Sequence, residues 1–352
     1  MSLPETPEKR PTKAAALNRL NLELKAYKGG ESTLCSGCGH DSITNAVIKS
    51  LFEYGVEPYR VAKMSGIGCS SKTTAYFLGQ SHGFNSVHGR MAAVTTGSNL
   101  ANRTLLNIGV SGDGDTASIG LGNFLHMVRR NPQIVYLVEN NGCYGLTKGQ
   151  FSATADKGSL QKGGAINRMP PIDICALAVE MGCGFVARSF SGDAKQMVAL
   201  LKGAVAHGGT AVLDIVSPCV TFNNHEGSTK SYPYAKEHEE LLLEIGFVPF
   251  YEEIAVDYDH GTTTVVELHD GSKVMLKKLE RDYDPANREQ ALSLLRKAQD
   301  EQLFLTGLIY QNSSAPSMIE QMNMVDRPLA GLPDSVIRPG PAVLNEILHQ
   351  FK

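Results

Sequence analysis

The pattern that most constrains this chain runs without interruption from Leu105 to Gln150. It reads LLNIGV, SGDGDTA, SIGLGNFLHMVRR, NPQ, IVYLVE and NNGCYGLTKGQ in succession. An apolar run, a Gly/Asp turn, a segment of helical length, a proline break and a β-branched run predict a β-loop-α-β unit. The first turn is polar and glycine-rich, where helix N–H groups can receive a phosphate. The second strand ends in Asn140-Asn141-Gly142, residue types that tolerate left-handed backbone and offer amide oxygens. Neighbouring strand ends therefore present Asp113 and Asn141 on one face.

Two chemistries fit this unit. Gly112-x-Gly114-x-x-Ala117 satisfies the dinucleotide fingerprint, and Glu139, 22 residues beyond Ala117, stands near the place of a ribose-binding acid. That reading sets Asp113 and Asp115 beside a diphosphate, which bare carboxylates repel. A divalent cation removes the conflict. Mg²⁺ takes six oxygens in an octahedron and commonly bridges a carboxylate to phosphates. Asp113, the Asn141 amide oxygen, the Cys143 carbonyl and two phosphate oxygens nearly fill that shell. A plainer alternative makes Asp115 an N-cap and the Asn pair a turn. A calcium loop does not fit, because position twelve counted from Asp113 is Phe124 rather than Glu.

The remainder of the chain extends the alternation. Residues 29–54 carry Cys35-x-x-Cys38, then His40 and Asp41 at the start of an amphipathic helix with Ile43, Val47, Ile48 and Leu51 on one side. YRVAKMSGIGCSSKTT, from Tyr59, reads as a short strand ending in a glycine turn with Cys69 and Lys72. Gly66-x-x-x-x-Ser71-Lys72-Thr73 misses a P-loop because Ser71 replaces the second glycine that wraps phosphate. A further short strand, the turn His88-Gly89-Arg90 and a helix follow; turn polarity alone also accounts for His88 and Arg90. Residues 151–172 form a long polar loop, of a length often used for lids or partner surfaces. Helix Asp173 to Met181, strand FVAR, helix Asp193 to Ala206 and strand AVLDIVS then complete a doubly wound, mainly parallel α/β sheet. Cys69, the GDGD turn, the NNG turn and Cys219 all follow strand carboxyl ends, where ligands bind in such sheets.

Three sections are expected: a Pro-, Lys- and Glu-rich arm over 1–28 with no fold of its own, a cofactor domain over 29–240, and a C-terminal α+β extension over 241–352. The extension carries a type I′ hairpin signal at Asp270-Gly271, a charged helix and a last helix near Ala342 to Phe351. A net charge of −3 gives no basic field for nucleic acid, and no apolar run reaches the length of a membrane span. The polar N-terminus is unlike a signal peptide, so a cytoplasmic location is expected. Seven cysteines argue against a disulfide framework there. By spacing alone Cys35-x-x-Cys38 suits a redox dithiol, a zinc half-site or an iron–sulfur half-site. Cys175 and Cys183 lie in apolar surroundings and read as core.

Asp113 and Asn141, with 27 residues between them in GDGD and NN, resemble the thiamine-diphosphate signature. NNGCYGLTKGQ together with the cysteines is similar to β subunits of 2-oxoacid:ferredoxin oxidoreductases, most like the 2-oxoglutarate type. The resemblance spans roughly residues 30 to 240, and more loosely the C-terminal part. It implies a sheet of the thiamine-diphosphate-binding type and CoA-dependent oxidative decarboxylation of 2-oxoglutarate to succinyl-CoA, or the reverse. It implies Mg²⁺ on Asp113, Asn141 and the Cys143 carbonyl, and a 4Fe–4S cluster on Cys35, Cys38, Cys69 and Cys219. His40, Gly68, His88, Gly112, Gly114, Asp115, Gly145 and Leu146 join the cofactor-binding set. His88 and Arg90 fall at the reacting end, with Leu146 just past the NNG turn. Lys72 is expected to meet the second carboxylate of 2-oxoglutarate, with a surface or CoA-phosphate role as its alternatives. The implied partners are ferredoxin and, in an (αβ)2 assembly, an α subunit that bears the pyrimidine-binding domain. A nicotinamide-dependent dehydrogenase using GDGDTA and a non-enzymatic iron–sulfur carrier are the competing functions.

Overall fold

Seven consecutive buried residues, Ile134–Asn140, five of them apolar, require a strand covered on both faces. The computed structural model describes residues 16–160, 164–223, 228–243, 263–267, 273–277, 283–301, 303–325 and 327–351. Its strands are β1 (Val61–Ser65), β2 (His82–Asn85), β3 (Leu106–Gly112), β4 (Ile134–Asn140), β5 (Cys143–Tyr144) and β6 (Gln150–Phe151). They continue as β7 (Phe185–Phe190), β8 (Thr210–Val216), β9 (Glu239–Leu243), β10 (Thr263–Glu267), β11 (Lys273–Lys277) and β12 (Phe304–Gln311). Eight of them form one sheet in the order β2-β1-β3-β4-β8-β7-β12-β9. Pairing is parallel from β2 through β7, and β12 runs antiparallel to β7. The fold is the expected doubly wound α/β sheet.

Helices α1 (Gly39–Tyr54), α2 (Thr73–Tyr76), α3 (Met91–Ala101), α4 (Leu121–Arg130), α5 (Ile174–Glu180), α6 (Ala194–Ala206), α7 (Tyr232–His238) and α8 (Arg288–Asp300) follow in chain order. Alternation along β4 assigns the layers. Ile134, Tyr136 and Val138 join a core with α3, α4, α5 and α8, while Val135 and Leu137 join α1 and α6. Local chemistry sets the helix ends. Asp173 and Asp193 each accept the N–H three residues on, capping α5 and α6. Gly55 and Asn131, both left-handed, close α1 and α4.

Three expectations need correction. Residues 16–28 do not form a foldless arm: Tyr27 is wholly buried and its hydroxyl donates to the Val56 carbonyl at 2.7 Å. Residues 1–15 lie outside the described set. The boundary at 240 also fails, because β12 sits inside the main sheet and Leu292 and Leu295 of α8 belong to the core. Sequence separation hides this pairing, since β12 reaches β7 across more than a hundred residues. Finally, the turn read at SGDGDTA winds as a π-helix over Gly114–Ile119, and α4 (Leu121–Arg130) then fills most of the helix expected over SIGLGNFLHMVRR. The Asp270-Gly271 turn lies outside the described residues, although β10 and β11 on either side pair antiparallel. The last helix, Pro341–Gln350, stands where it is expected.

A candidate cofactor site at the carboxyl edge of the sheet

The strand order turns at β1, with β2 to one side and β3 to the other, which makes the crevice beyond their carboxyl ends a switch point. A cavity of about 370 Å³ opens there. Gly112, Asp113, Gly114 and Asp115 line it from the end of β3, and Asn141, Cys143, Gly145 and Leu146 from beyond β4. His40, Gly68, Cys69 and His88 complete the predicted residues on its wall. Lys72 and Arg90 are not on that wall. Lys72 is half-buried beside Cys69, and Arg90 is exposed at the start of α3.

Asp113 is 1 % exposed, and its carboxylate accepts from the Thr154 hydroxyl at 2.6 Å, the Asn141 N–H at 3.3 Å and the Ser152 hydroxyl. Burial still holds its carboxyl above the usual range, because hydroxyls and an amide offset the loss of water only in part. Sequence reasoning misses Ser152 and Thr154, which fall in the polar loop; Ser-x-Thr directly after Gly-Gln-Phe is the available signal. The Asn141 amide oxygen accepts the Cys143 N–H at 3.1 Å, and Asn223 donates to the Asn141 carbonyl at 2.7 Å. Asp113, Asn141 and Cys143 all line the cavity, and a carboxylate and amide oxygens are hard donors of the kind Mg²⁺ takes. Gly114 admits no side chain, since a Cβ would lie 2.5 Å from the Tyr144 ring.

Asp115 behaves differently. Its two oxygens accept from the Gly89 N–H at 2.7 Å and the Ser111 hydroxyl at 2.9 Å. Glu139, which also lines the cavity, is wholly buried, accepts from Thr73 at 2.9 Å, and lies 3.5 Å from His40 Nε2. Burial raises the Glu139 carboxyl well above its usual value and lowers His40 to about 4.

The cysteines divide as expected by surroundings. Cys175 and Cys183 are wholly buried, whereas Cys35 is exposed and Cys38, Cys69 and Cys219 are half-buried. Cys38 and Cys69 each feel the charge of Cys219, and Cys69 that of Cys35. A Cβ on Gly145 would stand 3.5 Å from the Cys219 sulfur and 3.7 Å from that of Cys69, so both thiols border the same glycine. A hydrogen bond from the Cys143 thiol, with backbone N–H groups of Thr221, Phe222 and Asn223, outweighs burial and lowers Cys219 to about 6. Cys69 and Cys219 meet at Gly145, and Cys35 and Cys38 are electrostatically coupled to them, soft donors of the kind an iron–sulfur cluster takes. Among the described residues no three His, Cys, Asp or Glu side chains gather close enough to hold one ion directly.

A glycine-walled cavity at the switch point with this oxygen donor set defines a thiamine-diphosphate-binding domain. Residues 66–215 match the family model described as the thiamine pyrophosphate enzyme C-terminal TPP binding domain. Residues 273–327 match the model for the C-terminal part of the pyruvate ferredoxin oxidoreductase beta subunit. The chain is 34 % identical over 192 residues to the 2-oxoglutarate synthase subunit KorB of Methanocaldococcus jannaschii, covering 53 % of this chain and 69 % of that protein. It belongs to the β-subunit family of the 2-oxoacid:ferredoxin oxidoreductases. It is also 41 % identical over 194 residues to the 2-oxoacid:ferredoxin oxidoreductase subunit beta of a Sulfolobus species, covering 54 % of this chain and 63 % of that one. The chain thus spans less than two thirds of that relative's length. The solved 2-oxoglutarate:ferredoxin oxidoreductase from Magnetococcus marinus, which holds 2-oxoglutarate, coenzyme A and succinyl-CoA, superposes with a TM-score of 0.71 at 29 % identity. That match covers 94 % of this chain and 97 % of the solved one.

Proposed function

We propose that this chain is the β subunit of a 2-oxoglutarate:ferredoxin oxidoreductase, converting 2-oxoglutarate and CoA to succinyl-CoA and CO₂, or the reverse. The observation that carries the proposal is a fully buried Asp113 with no cation opposite it among the described residues, on a cavity that also bears the Asn141 and Cys143 oxygens. In this reading Asp113, Asn141 and the Cys143 carbonyl hold Mg²⁺, and Gly112 and Gly114 let the diphosphate approach the backbone. Ser152 and Thr154 orient Asp113 through their hydroxyls. Thiamine diphosphate, when bound, supplies the nucleophile and the electron sink for decarboxylation. His88 stands at the reacting end, Leu146 forms an apolar lip, and Lys72 and Arg90 serve the substrate from beyond the cavity wall. Cys35, Cys38, Cys69 and Cys219 would hold the 4Fe–4S cluster, which would supply one-electron transfer toward ferredoxin. The chain pairs with an α subunit that supplies the pyrimidine-binding half of the cofactor site, as (αβ)2. A cytoplasmic location accords with seven unpaired cysteines. Among the described residues no helix is long and apolar enough to cross a membrane.

The test is cofactor analysis of protein purified without oxygen. The expected result is thiamine diphosphate with about four irons per chain, following the ligand count of a four-cysteine cluster. Cys69→Ser and Cys219→Ser lose the iron, and Cys175→Ser keeps it. Zinc in place of iron defeats the cluster assignment, NAD without iron favours a dehydrogenase, and iron without thiamine diphosphate favours an electron carrier.

A further inference from the structure

We propose that Asp115 is a positioning residue for His88, whose carboxylate fixes the His88-Gly89-Arg90 turn at the mouth of the cavity. The proposal rests on the functional reading above, which puts His88 at the reacting end. Three observations carry it. The backbone after Asp113 winds as a π-helix, closed by the Gly120 N–H on the Asp115 carbonyl at 2.8 Å. Such turns are rare and concentrate at functional sites. The wide turn sends the two carboxylates of GDGD apart: Asp113 to Ser152, Thr154 and Asn141, Asp115 to Ser111 and the Gly89 N–H. Asp115 is 3 % exposed, and neither of its oxygens is left over for a diphosphate.

The second observation is the turn itself. Gly89 has φ +67°, and a Cβ there would lie 2.8 Å from the Gly120 Cα, so the turn rests backbone on backbone against the end of the π-helix. The third is that among the described residues no hydrogen bond holds the exposed His88 ring. Its place on the cavity wall is therefore set by the backbone, and the Gly89 N–H is the buried donor that anchors that backbone. A carboxylate acceptor makes this bond stronger than a neutral one, and losing it strands a buried N–H.

The experiment uses the cofactor-loaded complex of this chain with its α subunit. Kinetics on 2-oxoglutarate, thiamine diphosphate titration and amide exchange at Gly89 are measured for Asp115→Ala, Asp115→Asn, His88→Ala and the double variant His88→Ala/Asp115→Ala. Asp115→Ala is expected to lower kcat at least about tenfold and speed Gly89 exchange, with cofactor affinity within about threefold of wild type. Asp115→Asn, whose amide oxygen still accepts from Gly89, restores kcat to within about threefold. The double variant is no slower than His88→Ala alone, because the two changes remove one function. A fall in cofactor affinity matching that in kcat would return Asp115 to the diphosphate site. Losses that multiply in the double variant, or a fully active His88→Ala, also overturn the proposal. In a complex that oxidises no 2-oxoacid the functional reading falls instead, and unchanged Gly89 exchange in Asp115→Ala then overturns the positioning role by itself. Should Asp115→Ala fail to fold, Asp115→Glu, which displaces the acceptor by one methylene, replaces it in the same comparison.

Discussion

Two cavities lie side by side at the carboxyl edge of the sheet, and they treat buried charge in opposite ways. In the second, of about 290 Å³, acids meet bases. Arg188 bridges Asp173 at 2.8 Å and Asp214 at 3.0 Å, and Lys230 meets Asp156 at 2.7 Å. In the first, Asp113 faces hydroxyls and an amide, with no cation opposite it among the described residues. The two are physically joined. The Thr154 hydroxyl contacts both Asp113 and, at 3.0 Å, the Asn140 amide oxygen, and Asn140 donates to Asp214 at 2.9 Å. One cavity is electrostatically complete within the chain. The other leaves a buried anion without a cation, as a binding site tolerates and a structural core does not.

The sharpest way to break this contrast is to remove the uncompensated anion. Asp113→Ala should leave no thiamine diphosphate bound after purification, because Mg²⁺ loses its one carboxylate ligand. Unchanged cofactor content would show that the site is misplaced. Its counterpart is Arg188→Met, which strands Asp173 and Asp214. That change should cost about 3–5 kcal/mol of stability, the usual penalty for breaking a buried pair, read as a lowered denaturant midpoint. Cofactor affinity should stay within about threefold; a larger drop would mean the Asn140–Asp214 link carries function as well as structure.

Lys72 supplies the next effect. Under the proposed function Lys72, half-buried beside Cys69, meets the distal carboxylate of 2-oxoglutarate, which lies about two methylenes beyond what pyruvate offers. Truncating one partner of a desolvated charge pair costs roughly 2–5 kcal/mol. Lys72→Ile should therefore depress kcat/KM for 2-oxoglutarate at least about 30-fold, with pyruvate nearly unaffected. Equal losses would indicate a role in CoA binding or general catalysis. No loss would leave Lys72 as a surface residue, which its place off the cavity wall makes the relevant alternative.

The contrast also explains which parts are legible in the sequence. Strand and helix periods reveal β3, β4, β7 and β8, because each strand carries a run of β-branched and apolar residues bounded by turn residues. The same signals place Asp113, Asn141 and Cys69 at strand ends, so their common edge follows from topology. Ser152 and Thr154 stay hidden because their role depends on a loop folding back across 39 and 41 positions to one carboxylate. Asp115 misleads for a related reason. In sequence GDGD looks like one phosphate turn, and only the π-helical winding separates its two acids. The Arg188 cluster has no motif, since its ion pairs join residues 15 and 26 apart on different elements.

The smallest effect, and the one that tests the contrast most directly, is its pH dependence in the metal-free protein. Burial raises the Asp113 carboxyl above its unfolded value near 3.9. The native state then binds more protons than the unfolded one, so the Asp113 contribution to stability is fully present below about pH 4 and is lost as pH rises through the raised native value. Asp173 runs the other way. Burial pushes it up, but the Arg188 charge and hydrogen bonds override this and leave it lowered. Its contribution is present above about pH 4 and lost as pH falls through the lowered native value. At pH 7 without metal, Asp113→Asn should therefore be more stable than wild type and Asp173→Asn less stable. Both differences should shrink on acidification: the first on approaching pH 4, the second only below it. Adding Mg²⁺ and thiamine diphosphate should erase the advantage of Asp113→Asn, because the wild-type carboxylate then has its cation, and should leave Asp173→Asn unchanged. If both variants shift in the same direction at pH 7, the two cavities do not differ in charge compensation.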